Sequence, residues 1–221
     1  INTQPDIAFN SVDFLAATDV GTALLYHSGR IKSLVPQDRT LEGFLFPDTY
    51  LISTQDKADI LVAKMLANLE SKLTEQLMLE SNATGLSFYE IVILASIVER
   101  EAIVPDEMPV VASVYLNRLK LGMRLEADPT VQYALGYQAG SNEWWFSGLT
   151  QDHYRSADSP YNTYLYDGLP PAPIASPGIA AINATTYPAS TQFLFFRAAC
   201  DQSGRHLFAI TYEEHLNNAC R

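Results

Sequence analysis

The stretch "SFYEIVILASIVEREA" (87–102) constrains this chain more than any other. Seven of the eight residues from Ile91 to Val98 are apolar. Ser87 with Glu90 three places on has the spacing of a capping box, which starts a helix. A helix this apolar belongs in a core, so other elements must pack around it. It nevertheless runs out into Glu99, Arg100 and Glu101. An acid at the end of a core helix needs a reason.

The surrounding pattern supplies the packing partners. "SVDFLAAT" (11–18) reads as a short helix with Ser11 as its cap. "SGRIKSLVPQDRT" (28–40) is looser and joins a leading segment to the main domain. The end of "LEGFLFPDTYLIS" (41–53), "TYLIS", reads as a strand. Residues 56–80 read as one long amphipathic helix, with Ile60, Ala63, Leu66, Leu69 and Leu73 at three- and four-residue steps. A further helix covers 106–122, entered near Pro105 and stopped by Gly122. Residues 141–178, rich in Tyr, Trp, Pro, Asn and Gly, are expected to be ordered loop. "SPGIAAINATTYP" holds a short helix. "QFLFFRAAC" and "HLFAITY" form a hairpin across "DQSG", and "TYEEHLNNAC" closes with a helix. The sum is an α+β fold, with helices first and a small sheet late.

Composition narrows the function. The chain has 221 residues and a net charge of −11, from 14 basic against 25 acidic residues. No Lys/Arg cluster of the kind that binds phosphate backbones appears, so nucleic acid is not the expected ligand. His27, His153, His206 and His215 are scattered without HExxH spacing, so no metal is expected. Cys200 and Cys220 have no zinc spacing; a disulfide and two free buried thiols both remain open. No apolar run reaches the roughly 18 residues that span a bilayer.

Helix arithmetic sets Glu99 in line with Val92 and Ala102, and Glu101 about 200° away from it. Glu101 is therefore expected to be an ordinary solvated carboxylate. Glu99, after the apolar run, is expected at the edge of the core. A carboxyl partly withdrawn from water holds its proton more readily, as a general acid must. The plain alternative is a helix-end acid paired with Arg100, Arg118 or Arg124.

Five segments then occur in order: "LEGFLFPDTY" (41–50), "ASIVEREA" (95–102), "ASVYLNRLKLGMRLEADPTVQYALG" (112–136), "SPYNTYLYDGLPPAPIASPG" (159–178) and "HLFAITYEEH" (206–215). Together they resemble the MltG (YceG-like) family of bacterial endolytic murein transglycosylases, over residues 41–215. The resemblance implies a catalytic domain over 41–221. It implies that residues 1–40 form a leading segment, the tail of a LysM-like subdomain. It also implies an envelope protein on the outer face of the cytoplasmic membrane, anchored by an N-terminal helix absent from this chain. Its partners would be peptidoglycan strands and cell-wall synthases, with no cofactor. Glu99, the first acid of "ASIVEREA", is implied as the catalytic residue. Two positions depart from the family's usual pattern: Glu126 stands where an amide is common, and Ala172 where Gly is common.

The implied reaction is a non-hydrolytic cut between MurNAc and GlcNAc that leaves a 1,6-anhydro end, with one Glu as acid and then base. Glu42, Asp128, Thr130, Tyr161, Asn162 and Tyr164 are implied in substrate binding. For Asp128 a helix-capping role stands beside a substrate role, and for Glu42 a buried structural one. Asn117 and Arg118 are expected to tie loops to their helix, and Trp144 and Trp145 to sit in core or rim. Two other readings remain open. One is a hydrolytic muramidase, which needs a second carboxylate from Glu42 or Asp128. The other is a glycan-binding envelope module without catalysis.

Overall fold

A computed structural model describes residues 7–19 and 29–220. His27 and the first six residues lie outside the described residues. Helix α1 (Ser11–Ala17) is capped by Asn10 rather than Ser11, because the Asn10 side chain accepts from the amides of Val12 and Asp13. A single turn, α2 (Ile31–Leu34), follows. Phe9, Ala17, Ile31 and Val35 are buried in the same core as the later helices. The described part of residues 1–40 is therefore packed on the rest.

The long helix expected over 56–80 is two helices, α3 (Ala58–Lys72) and α4 (Glu75–Ser81). The break falls at Leu73–Thr74, where the Thr74 hydroxyl caps the amide of Leu77 at 3.1 Å. Thr is a better cap than interior helix residue, so the local bond overrides the apolar period. Val62, Leu66 and Leu69 form the buried stripe, while Ile60 faces solvent. The strand expected at "TYLIS" does not form. Leu51 is 92% exposed, and a strand without a partner leaves its backbone unpaired.

Helix α5 (Phe88–Glu101) begins at Ser87, with both bonds of the capping box present. Every residue from Ile91 to Val98 is buried. It packs against α6 (Met108–Lys120) and α9 (Ile179–Thr186), with α7 (Asp128–Leu135) across its end. Pro105 opens a short 3₁₀ turn before α6, and Gly122 follows that helix at φ +65°, a conformation glycine adopts without cost. Among the described residues, 141–178 are mostly loop, interrupted by α8 (Gln151–Ser156).

Strands β1 (Phe195–Ala198) and β2 (His206–Ala209) pair antiparallel in the register Phe195↔Ala209 to Ala198↔His206. A two-stranded sheet is marginal alone. Here α6 braces it. Asn117 Nδ2 donates to the carbonyls of Thr191 and Phe193, and Arg118 Nε to that of Leu194. These are the tying roles expected of both residues. The buried Glu107 carboxylate accepts from the His206 amide. Helix α10 (Tyr212–Asn217) closes the fold, and a disulfide joins Cys200 to Cys220, with Cα atoms 5.5 Å apart. The molecule is thus α+β as expected. Among the described residues no single helix is long and apolar enough to cross a membrane.

Candidate active site

The last turn of α5 sends three side chains in three directions, since successive residues are about 100° apart. Glu99 turns toward α9. Its Oε2 accepts from the Gly178 amide at 3.1 Å, at the positive end of that helix. None of the arginines expected to pair with Glu99 does so within salt-bridge distance. Arg100 lies over the Trp145 ring, 4.0 Å from its centroid. Trp145 is half-buried there, while Trp144 is exposed.

Glu101 turns into a cleft of about 810 Å³, lined also by Tyr115, Asp128, Tyr154, Tyr164 and Phe196. That size suits a ligand site. Glu99 does not line it. The expectation of a solvated Glu101 is corrected: the residue is half-buried, and its Oε1 accepts from the Tyr115 hydroxyl at 2.7 Å. Burial pushes its carboxyl up to about 7, against the lowering pull of the Tyr115 bond, with Asp128 raising it further and Arg100 lowering it.

Asp128 does not cap α7. The cap position is Ala127, with no side-chain bond, and Asp128 Oδ1 accepts from the Tyr164 hydroxyl at 2.6 Å. The Tyr154 and Tyr164 rings lie 4.4 Å apart. Burial and Asp128 hold both phenols protonated, Tyr154 pushed up to about 12 and Tyr164 higher still. The cleft thus presents a carboxyl of near-neutral pKa, a second carboxylate and a bank of phenols. That set can donate and take a proton and can hold hydroxyl-rich ligands.

The other residues implied by the resemblance fall in two places. Asn162 is fully buried beneath the cleft. Its Nδ2 donates to the carbonyls of Tyr154 and Ala157, each at 3.0 Å, and its Oδ1 accepts from the Tyr164 amide. It positions both tyrosines and does not line the cleft. Thr130, also fully buried, bonds Ala127 and Thr163 and fixes the entry to α7. Glu42 and Tyr161 come together elsewhere. Tyr133 donates to Glu42 at 2.5 Å, its ring lies tilted against that of Tyr161 with centroids 4.7 Å apart, and burial raises the Glu42 carboxyl. Neither residue lines the cleft that holds Glu101.

Tyr115, Tyr154, Arg118, His206 and His215 line the cleft without having been singled out as site residues. Tyr115 carried a signal: a tyrosine on an apolar helix face usually finds a partner for its hydroxyl. Glu126 sits at φ +50°, and its carboxylate meets Arg118 Nη1 at 3.1 Å. Glu126 is therefore held by an arginine at the cleft wall.

The YceG-like family model matches residues 8–221. The chain is 34% identical to an endolytic murein transglycosylase of Bacillus subtilis (strain 168), over 79% of this chain and 46% of that protein. It is 32% identical to one from Streptococcus pneumoniae serotype 2, over 91% of this chain and 36% of that protein. The chain thus spans less than half the length of these curated relatives. A 2.6 Å crystal structure of a yceG-like protein from Listeria monocytogenes superposes with a TM-score of 0.78 at 32% identity, covering 95% of this chain and 67% of that one. By sequence and by fold, this chain belongs to the YceG-like family.

Proposed function

We propose that the chain is the catalytic domain of a peptidoglycan lytic transglycosylase, with Glu101 as acid and then base. The observation that carries the reading is Glu101 itself. It is the carboxyl in the cleft that burial holds near pH 7, so it can both give and take a proton at working pH. The names of the relatives, endolytic murein transglycosylases, supply the substrate class.

In this reaction Glu101 passes its proton to the glycosidic oxygen as the bond from C1 of MurNAc breaks. The carboxylate left behind takes the proton of the C6 hydroxyl. That oxygen attacks C1 of its own sugar and closes the 1,6-anhydro ring. Glu101 ends protonated, and no water is consumed. The intramolecular nucleophile gains from proximity. Tyr115 steadies the carboxyl, and Asp128 with the Tyr154–Tyr164 pair binds sugar hydroxyls.

The sequence resemblance pointed to Glu99 as the acid. Glu99 is half-buried as well, and its Oε2 accepts from the Gly178 amide beside α9 while Oε1 carries no such bond among the described residues. Digestion of uncrosslinked glycan strands, read by mass spectrometry, separates the two. Glu101→Gln is expected to lose about 10²–10⁴-fold in rate, and Glu99→Gln to stay within a few-fold of wild type. The reverse pattern returns the role to Glu99.

One observation favours a second reading. Glu101 and Asp128 line the same cleft, and a hydrolytic muramidase needs two carboxyl groups. Its products carry a reducing MurNAc and are heavier by one water than anhydro ends.

The first reading also sets the full-length protein in the cell envelope, on the outer face of the cytoplasmic membrane. There a single-pass helix would anchor it, with nascent strands cut beside cell-wall synthases. Residues 41–221 would be the catalytic unit and 1–40 the tail of a LysM-like subdomain. These points rest on the sequence resemblance.

A further inference from the structure

We propose that Arg155 of α8, Arg197 of β1 and His215 of α10, which all line the cleft, bind carboxylates of the peptide stem that MurNAc carries. The inference rests on the glycan reading above and adds a part of the substrate that Glu101 does not touch.

The charge pattern is the first observation. The chain carries −11, and most of its arginines are paired. Arg30 meets Glu70, Arg118 meets Glu126, Arg124 meets Asp167 and Arg205 meets Asp106. Arg155 and Arg197 line the cleft, and among the described residues no carboxylate pairs with either. The cleft also carries Glu101, Asp128 and the Arg118-paired Glu126, so Arg155 and Arg197 are the guanidinium groups it leaves to meet an anion.

The second observation is an orphaned atom. His215 also lines the cleft, and its Nδ1 is buried with no hydrogen-bond partner among the described residues. Burial, then Arg197 and Arg118, press its pKa down. A neutral imidazole offers one donor and one acceptor, and leaving either unmet in the interior costs stability. Arg197 Nη1 donates to the His215 carbonyl at 3.1 Å, which fixes the guanidinium beside the ring. Its remaining N–H groups have no partner among the described side chains. A carboxylate fits this set. It accepts from guanidinium in a planar, bidentate way and from an imidazole N–H as well.

A neutral sugar needs no cation, and the repeating unit of a peptidoglycan strand has no phosphate. Its anions are the carboxylates of the stem. The stem hangs from O3 of the same MurNAc whose C1–O bond is cut. A cleft that seats this sugar at Glu101 therefore brings the stem within its own walls.

The test uses three substrates: native uncrosslinked strands, strands whose stem carboxylates are amidated, and strands stripped of stems, which keep a free lactyl carboxylate. Wild type is expected to cut native strands with about tenfold higher kcat/KM than amidated or stripped ones. The Arg155→Gln/Arg197→Gln double variant is expected to lose that advantage on native strands and to match wild type on amidated ones. Arg197→Lys should restore part of it. Equal rates on native and amidated strands overturn the proposal. Stripped strands cut as fast as native ones move the anion to the lactyl group and overturn the assignment to the stem. If wild type cuts no strand, the proposed reaction fails instead. Binding to Glu101→Gln protein then still reads this inference: native strands should bind about tenfold more tightly than amidated ones, and equal binding overturns it.

Discussion

The Tyr115 hydroxyl donates to Glu101 Oε1 at 2.7 Å, joining α6 to the last residue of α5. The bond stabilises the charged carboxylate and so opposes the effect of burial on Glu101. Tyr115→Phe removes the donor and keeps the ring, which lies edge-to-face with Phe196, centroids 5.7 Å apart. The Glu101 pKa then rises further. With Glu101 as the acid, the alkaline limb of kcat/KM is expected near pH 7 in wild type and at higher pH in the variant. A pH–rate profile whose limb stays in place or moves down counts against Glu101 as the acid.

The same burial has a consequence for stability. The folded pKa of Glu101, about 7, lies above the ordinary carboxyl value of 4.5. A raised acid contributes stability that is complete below about pH 4.5 and is lost as pH rises through 7. Glu101→Gln carries no such loss. It is expected to melt a few degrees above wild type at pH 8 and alongside it at pH 4. Calorimetry at the two pH values checks this, and a gap of equal size at both removes burial as the cause.

Asn162 holds the cleft's tyrosines without lining the cleft. Asn162→Ala leaves the carbonyls of Tyr154 and Ala157 and the Tyr164 amide without their partner. The expected cost is about 2–4 kcal/mol, seen as a lower midpoint in urea. Below that midpoint the folded variant should show a raised KM, because Tyr154 and Tyr164 lose their fixed position. Unchanged KM in the folded protein would make Asn162 purely structural.

The Cys200–Cys220 disulfide closes a loop of about 20 residues that contains β2 and α10. Chain entropy assigns such a loop about 3 kcal/mol. Cys200→Ser/Cys220→Ser protein, or wild type under reducing agent, is expected to melt lower by several degrees. A melting temperature insensitive to reducing agent would show that the hairpin is held by α6 alone.

Local chemistry is what a sequence shows best. The capping box at Ser87 and Glu90, the stop at Gly122 and the hairpin from "QFLFFRAAC" to "HLFAITY" all rest on bonds between near neighbours, and each is readable. The break at Thr74 is also local, but the apolar period running across it hides the cap. "TYLIS" has strand composition and no partner, and pairing is a property of the whole fold. The pair Glu99 and Glu101 is the instructive case. Helix arithmetic separates Glu99 from Glu101 by direction, yet cannot say which direction is the cleft. Because α5 is buried all round, its apolar residues mark no single face. The cleft side is set by α7, the 150s loop and the hairpin, which lie far along the chain. Asp128 and Tyr164, singled out from their motifs, both line the cleft. Asn162 and Thr130 share those motifs and turn out to support the site from beneath.

The hairpin that walls the cleft comes late in the chain and is held by distant contacts. The bond between Glu107 and the His206 amide spans 99 positions. Helix α5 can form from local signals while that wall is still unmade, and until the hairpin docks Glu101 meets water on its open side. The setting that raises the Glu101 carboxyl is therefore a property of the completed fold and not of the helix that carries it.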